Sequence, residues 1–144
     1  MTETEARHEP ANDRVRRWVK LDRPAGAVWG EIGGFLTIAD WHPLVESCQP
    51  DEIGGTPHRY LRLTDGESML EELLETGPHD YVTRIGEHQF PAGEIRATFA
   101  CVAEPEGGCH VFWAATFEAA DPMADEMVEA FFESGLAAIA DRFG

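Results

Sequence analysis

The chain has 144 residues, 43% of them hydrophobic, which is enough for one folded domain with an apolar core. Acidic residues outnumber basic ones by 27 to 11, and the resulting net charge of −16 argues against binding to nucleic acid or to anionic membrane surfaces. No apolar run approaches the roughly 18–20 residues that a membrane span requires, so we expect no membrane insertion.

The first residues, "MTETEARHEPAND", are polar and lack the apolar centre of a secretory signal. We therefore expect residues 1–12 to be a disordered tail and residues 13–144 to form a single domain. Cys48, Cys101 and Cys109 have neither an even count nor a metal-binding spacing. We interpret them as reduced thiols in a cytoplasmic protein.

Two short helices are predicted after a first strand. "RVRRWVKLDRP" is typical of a strand in which Val15, Trp18 and Val19 alternate imperfectly. "AGAVWGEIGGF" has its larger apolar residues on one helical face and is ended by a Gly-Gly pair. "FLTIADW" predicts a second short helix, which should end near His42 because Pro43 disfavours helix there.

Six further strands and one long helix follow. The segments "LVESCQPDE", "HRYLRL", "SMLEELLE", "DYVTRIGEH", "GEIRATFACVAE" and "CHVFWAATFEA" are separated by turn sequences. The helix should span about residues 122–143 and bury Met127, Phe131 and Ile139, with Met123 widening the apolar stripe. This order predicts an α+β fold in which a curved seven-stranded antiparallel sheet wraps around the C-terminal helix and encloses a cavity.

The chain resembles a known family in this order of elements and in four segments, "VWGEIGGFLTIADWHPLVESC", "HRYLRLTDGESMLEEL", "GGCHVFWAATFEA" and "ESGLAAIADRFG". The family is the polyketide cyclase/dehydrase and lipid-transport group of the START-like, helix-grip (SRPBCC) superfamily, and the resemblance covers about residues 14–144. It implies a helix-grip fold. It leaves function open, because the superfamily includes carriers, hormone receptors and cyclases or aromatases.

The motif Trp41-His42-Pro43 has two interpretations. It can be a structural corner, in which Trp41 closes one end of the core and Pro43 sets the direction of the chain. Alternatively, Trp41 or His42 contacts the ligand, since the resemblance places this segment at the rim of a cavity. A histidine there could act as an acid or base near neutral pH.

The hairpin "RYLRLTDGESMLEE" allows two registers. A two-residue turn pairs Arg59 with Glu72, whereas a three-residue loop with a left-handed Gly66 pairs Arg59 with Glu71. Resemblance to plant abscisic acid receptors, which carry a pocket-facing glutamate there, favours Glu71. An inward Arg59–Glu71 pair would be a ligand anchor, an acid/base pair or a structural ion pair.

The remaining candidates follow from strand alternation and from the resemblance. Tyr81 could present its phenol to a ligand or fill the core, and His88 matches the histidine of the receptors' latch loop. The family often has a tyrosine where this chain has Ile95, which removes one polar contact. The candidate catalytic residues are Arg59, Glu71, Tyr81 and His42, and the candidate ligand-binding residues are Trp41, Leu61, Leu63, Met69, Leu73, Thr83, His88, Phe90, Ile95, Phe99, Trp113, Met127 and Phe131.

Two function classes fit these residues. The first is a carrier or sensor for a small, largely apolar molecule, such as a polycyclic one, and the second is a polyketide cyclase, aromatase or dehydratase. A regulatory domain with a vestigial pocket is a third option. No phosphate-binding loop, HExxH or GxSxG motif occurs, and the six histidines lack metal-ligand spacing. We therefore expect no metal or cofactor, and the sequence does not identify a protein partner.

Overall fold

The computed structural model describes residues 13–144. The elements in chain order are β1 (Val15–Leu21), α1 (Ala25–Ile32), a 3-10 helix (Ile38–Asp40), β2 (Val45–Ile53), β3 (Thr56–Leu63), β4 (Ser68–Gly77), β5 (Asp80–Glu87), β6 (Ile95–Ala103), β7 (Cys109–Thr116) and α2 (Met123–Phe143). The tail predicted for residues 1–12 lies outside the described residues.

The seven strands form one antiparallel sheet in the order β1-β7-β6-β5-β4-β3-β2. Strands β2 to β7 follow one another as a meander, and β1 pairs with β7, so that Val15 lies opposite Ala115. The predicted α+β, helix-grip fold is therefore confirmed. Two short stretches, α1 and the 3-10 helix, connect the two edge strands β1 and β2 across the concave face.

Helix α2 packs on the concave face over β1 and β7. Phe131 and Ile139 are buried as predicted, but Met127 is only partly buried and Met123 is 52% exposed. The prediction that Met127 is buried was wrong, because the face turned to the sheet also includes the next residue in each turn, which places positions 123 and 127 on its flank. The buried residues of α2 are Ala124, Val128, Phe131, Phe132, Gly135, Leu136, Ile139 and Phe143.

Two other details differ from the sequence prediction. Trp18 is 60% exposed, because the inward positions of β1 are the odd-numbered ones, among them the buried Val15 and Leu21. The second short helix is reduced to the three residues Ile38–Asp40. Thr37 donates its hydroxyl hydrogen to the Gly34 carbonyl, a local bond that competes with helix formation, and Pro43 limits the segment at its other end.

Within residues 13–144, no helix combines the length and the apolar character needed to cross a membrane.

Candidate functional site

Three polar side chains from neighbouring strands meet inside the concave face. Arg59 of β3 is 0% exposed, and Glu71 of β4 and Tyr81 of β5 are each 3% exposed. Arg59 Nη2 donates to Glu71 Oε1 at 3.0 Å, and Arg59 Nη1 donates to the Tyr81 hydroxyl at 3.2 Å. We call Arg59, Glu71 and Tyr81 the polar group. It is the largest departure from an apolar interior in the described part of the chain.

The turn between β3 and β4 determines which glutamate joins this group. Gly66 has a φ of +92°, and the Leu63 N–H donates to the Glu67 carbonyl at 2.8 Å, which closes a three-residue loop. In this register Arg59 lies opposite Glu71. The register suggested by the family resemblance is therefore confirmed. Glu72 points to the other face, where it accepts a hydrogen bond from Arg84 at 2.9 Å.

Arg59 also holds the segment that follows α1. Its Nη1 donates to the Phe35 carbonyl at 2.8 Å, and its guanidinium carbon lies 4.6 Å from the centre of the Phe35 ring. The Phe35 ring in turn meets Tyr81 edge to face at 5.7 Å. The loop between α1 and β2 thus covers the polar group, whereas α2 covers the other side of the concave face.

Burial and neighbouring charges shift the pKa values of Arg59 and Tyr81. Burial opposes the positive charge of Arg59, but the Glu71 carboxylate and Tyr81 outweigh burial and raise the pKa of the guanidinium above its ordinary value. Burial raises the pKa of Tyr81, against the opposing influence of Arg59, so the phenol stays protonated at neutral pH. The group therefore consists of a permanent cation, its carboxylate partner and a neutral hydroxyl.

Three buried donors have no hydrogen-bond acceptor in residues 13–144, and two of them, Nε of Arg59 and Nε1 of Trp41, belong to buried residues of the interior; the third is Nη1 of Arg16. A buried N–H without a partner costs about 1–3 kcal/mol, and a bound ligand or an ordered water can supply the missing acceptor. Trp41 is 7% exposed and stacks on Phe99 at 5.4 Å between ring centres. Phe99 is also 5.5 Å from Tyr81, so Trp41 and the tyrosine that bonds Arg59 contact the same ring.

Aromatic rings fill the space between this region and α2. Phe99 lies 4.8 Å from Trp113, Trp113 stacks on Phe132 at 4.7 Å, and Phe131 lies 5.6 Å from Trp113. Rings at these separations are in contact. A ligand that reaches the polar group must therefore displace side chains or the covering loop.

His42 is held by backbone groups on both of its nitrogens. The Leu44 N–H donates to Nδ1 at 3.2 Å, so Nε2 carries the ring proton and donates to the Phe131 carbonyl at 3.0 Å. Burial lowers the pKa of His42 to about 4, and the nearby Arg59 charge adds to this, against the opposing effect of the bond to Phe131. The imidazole is neutral at pH 7 and fastens the Trp41-His42-Pro43 corner to α2.

The close approach of His42 requires a glycine in α2. A Cβ on Gly135 would lie 2.7 Å from Cδ2 of His42 and 3.0 Å from Cζ3 of Trp113. The histidine and tryptophan rings therefore occupy the space that a side chain at position 135 would need.

His88 braces its own loop. Its Nε2 lies 2.8 Å from the Gly93 carbonyl oxygen, and the Phe90 N–H donates to its Nδ1 at 3.1 Å. Phe90 is buried and meets Phe131 edge to face at 6.2 Å. Hydrogen bonds between backbone groups tie residues 91–93 to residues 118–120, so the loop is fixed to the chain that leads into α2.

The other predicted ligand-binding residues lie along the concave face. Leu61, Leu63, Met69, Thr83, Ile95, Phe99 and Trp113 are buried, whereas Leu73 and Met127 are only partly buried. Phe35, Trp29 and Phe132 also line the interior but were not among the predicted site residues. The hydrogen bond from Arg59 to Phe35 is accepted by a backbone carbonyl, which no side-chain pattern could reveal.

No group of three or more His, Cys, Asp or Glu side chains in residues 13–144 could hold a metal ion. Cys48 is half-buried on the concave side of β2, and burial raises the pKa of its thiol, which disfavours the reactive thiolate. The chemistry of the site is therefore that of hydrogen bonds, charge and aromatic surface.

A curved antiparallel sheet that grips a C-terminal helix, with a polar group on its concave face, defines a helix-grip protein of the START-like superfamily. The chain belongs to the polyketide cyclase/dehydrase and lipid-transport family, which it matches over residues 13–144. Family and fold point to ligand binding or to polyketide cyclase activity.

Solved structures share this fold over most of their length. The protein XoxI from Bacillus cereus is 25% identical with a TM-score of 0.82, and the match covers 90% of this chain and 94% of XoxI. An uncharacterised protein from Bacillus thuringiensis is 27% identical with a TM-score of 0.81, covering 90% and 97%. The aromatase/cyclase Zhui from Streptomyces sp. R1128 is 18% identical with a TM-score of 0.66, covering 89% and 91%, and supports the fold alone. No curated protein matches the chain significantly.

Proposed function

We propose that the protein binds a small, largely apolar molecule on the concave face of the sheet and anchors it through Arg59, Glu71 and Tyr81. The observation that carries this proposal is the buried polar group itself, which has unused donors beside it. Arg59 Nε and Trp41 Nε1 have no acceptor among the described residues. Phe99 contacts both Trp41 and Tyr81, and Tyr81 accepts a hydrogen bond from Arg59. Ligand oxygens that accept from these N–H groups would satisfy donors that are costly to leave unpaired.

The ligand reaches this group through the loop between α1 and β2. The Phe35 ring and carbonyl both lie on Arg59, and Leu36 next to it is 46% exposed. Moving this short segment uncovers Arg59 and Tyr81 without disturbing a strand. Aromatic neighbours on several sides favour a flat, ring-containing molecule, because stacked and edge-to-face contacts add to simple burial.

An enzyme of the cyclase, aromatase or dehydratase type is the second candidate, and the Arg59–Tyr81 hydrogen bond is the observation that favours it. A fixed cation next to a protonated phenol could stabilise an enolate oxygen and supply a proton. Glu71 would be the remaining base. His42 has both nitrogens engaged with the backbone, so we do not propose it as an acid or base.

The neutral fluorophore 6-propionyl-2-(dimethylamino)naphthalene tests the binding proposal, because it offers two fused rings and one ketone oxygen. We expect its emission to shift to the blue on titration with the protein. Trp41→Phe keeps an aromatic side chain, although a smaller one, and removes the unpaired N–H, whereas Tyr81→Phe removes the hydroxyl. Each should weaken binding about tenfold, as expected for one lost hydrogen bond.

Trp18→Phe is the matched control, because Trp18 is 60% exposed and lies outside the concave face. Its affinity for the dye should equal that of the wild type. Equal affinity in all four proteins would place the dye elsewhere and contradict the proposed site. Native mass spectrometry of the protein isolated from its own host would identify a carried ligand, and a mass that changes on incubation would favour the enzyme.

A further inference from the structure

We propose that Glu71 makes this site selective for uncharged ligands that carry a hydrogen-bond acceptor, and that the site rejects carboxylates. The inference rests on the proposed function, since it concerns the choice among ligands at the same site. Glu71 would then determine specificity, and the site would distinguish neutral ketones, quinones and phenols from free acids of the same shape.

The positive charge of Arg59, the fully buried cation of the site, is already compensated by Glu71. Arg59 and Glu71 are 3.0 Å apart, and their side chains are 1% and 4% exposed. The polar group therefore carries no net charge. A ligand anion would add a second negative charge beside Glu71 in an interior with little water to screen it, which is costly. A neutral oxygen adds none.

The hydrogen-bonding groups that the site leaves for a ligand are donors. Arg59 Nε and Trp41 Nε1 lack acceptors among the described residues. The Tyr81 hydroxyl accepts a hydrogen bond from Arg59, and its own hydrogen remains available for donation to a ligand. All three unused functions are donors, so the matching ligand must bring lone pairs and not N–H groups. A ligand cation would bring no lone pair and would also face Arg59.

The protein itself places an uncharged acceptor against the Arg59 guanidinium. Arg59 Nη1 donates to the carbonyl oxygen of Phe35 at 2.8 Å. A ketone or quinone oxygen has the same charge and geometry as this backbone carbonyl, and it can take over the bond when the loop moves. A carboxylate would instead compete with Glu71 for the guanidinium.

The protein exterior acts in the same direction. The chain has a net charge of −16, and the surface arginines Arg14, Arg17, Arg84, Arg96 and Arg142 are each bonded to carboxylates. The outer field therefore repels anions before they reach the site. Salt weakens this contribution, whereas it leaves a buried pair almost unaffected.

Two probes with the same rings test the proposal: the ketone 6-propionyl-2-(dimethylamino)naphthalene and the anion 6-(dimethylamino)-2-naphthoate. We expect the wild type to bind the ketone at least tenfold more tightly at pH 7.5, both at 0.1 M and at 1 M NaCl. Glu71→Gln leaves an amide oxygen for Arg59 but removes the negative charge. It should reverse or abolish the preference, with at least a tenfold gain for the carboxylate relative to the ketone.

Glu72→Gln is the matched control, since it removes the same charge from the next residue on the opposite face. The probe ratio should stay at its wild-type value. A preference that disappears at 1 M NaCl would assign it to the outer charge and overturn the role of Glu71. Should Glu71→Gln fail to fold, the wild-type ratio at both salt concentrations decides alone. Tight binding of both probes in equal measure would refute the selectivity but leave the binding site standing, and binding of neither would overturn both proposals.

Discussion

Replacing Gly135 by alanine should destabilise the protein, although the same change stabilises most helices. Gly135 lies inside α2, where alanine is favoured over glycine by about 1 kcal/mol. The added methyl group would lie 2.7 and 2.8 Å from the His42 ring and 3.0 Å from Trp113. Both rings are packed on other side chains, so neither can move freely.

The size of the effect follows from two contributions. Inserting a methyl group into a packed interior costs about 1–3 kcal/mol. Displacing the imidazole also weakens its bond to the Phe131 carbonyl and leaves a buried N–H unpaired, at a cost of about 1–3 kcal/mol. After subtraction of the gain in helix propensity of about 1 kcal/mol, we expect the free energy of unfolding to fall by about 1–5 kcal/mol.

Urea unfolding followed by tryptophan fluorescence measures this change. Gly30→Ala is the control, because Gly30 is exposed in α1 and a Cβ there would meet nothing within 4 Å. It should stabilise the protein by about 0.5–1 kcal/mol. In a His42→Ala background the cost of Gly135→Ala should shrink by at least half. A Gly135→Ala protein as stable as the wild type, or an unchanged cost in that background, would refute the packing argument.

Three further predictions concern the polar group, pH and the hairpin. Arg59→Met alone should lower the free energy of unfolding by about 3–5 kcal/mol, because it leaves a buried carboxylate unpaired. The double variant Arg59→Met, Glu71→Gln should lose less stability, and equal losses in thermal unfolding would argue against a coupled pair. The pKa of His42 is about 4 when folded and near 6.5 when unfolded, so the unfolded chain takes up a proton first as the pH falls. Between pH 6.5 and 4 this should remove about 3 kcal/mol of stability, and a His42→Gln protein with the same pH dependence in urea would contradict it. Gly66→Ala should lower the free energy of unfolding by about 1 kcal/mol, because Gly66 has a φ of +92°. A Cβ there would meet no atom within 4 Å, so backbone strain alone would account for the loss. An unchanged melting temperature would show that this strain is negligible.

The sequence predicted the architecture because each element carries a local signal. Turn residues separate the strands, and alternation along β3 and β6 identifies the inward side chains correctly. Alternation alone did not decide between Glu71 and Glu72, since apolar residues flank both. The left-handed Gly66 and the family resemblance together predicted the register that the structure has.

Contacts between distant segments were harder to predict. The bond from Arg59 to the Phe35 carbonyl joins residues 24 positions apart through a backbone atom, so residue type gives no sign of it. The role of His42 depends on Gly135 and Phe131, which lie on α2 far along the chain. A histidine beside tryptophan and proline is typical of both a rim and a corner, and only the packing of α2 distinguishes the two.

The pairing of β1 with β7 has a consequence for how the protein is made. Val15 is synthesised roughly 100 residues before its partner Ala115, and ribosomes add about 5–20 residues per second, so β1 waits about 5–20 s for its neighbour. During that time the strand has neither its sheet partner nor the α2 carboxylates to which Arg14 and Arg17 bind. The first of the described strands to be synthesised is therefore the last to be paired. Until then the nascent chain carries an unpaired strand to which chaperones can bind and through which the chain can aggregate.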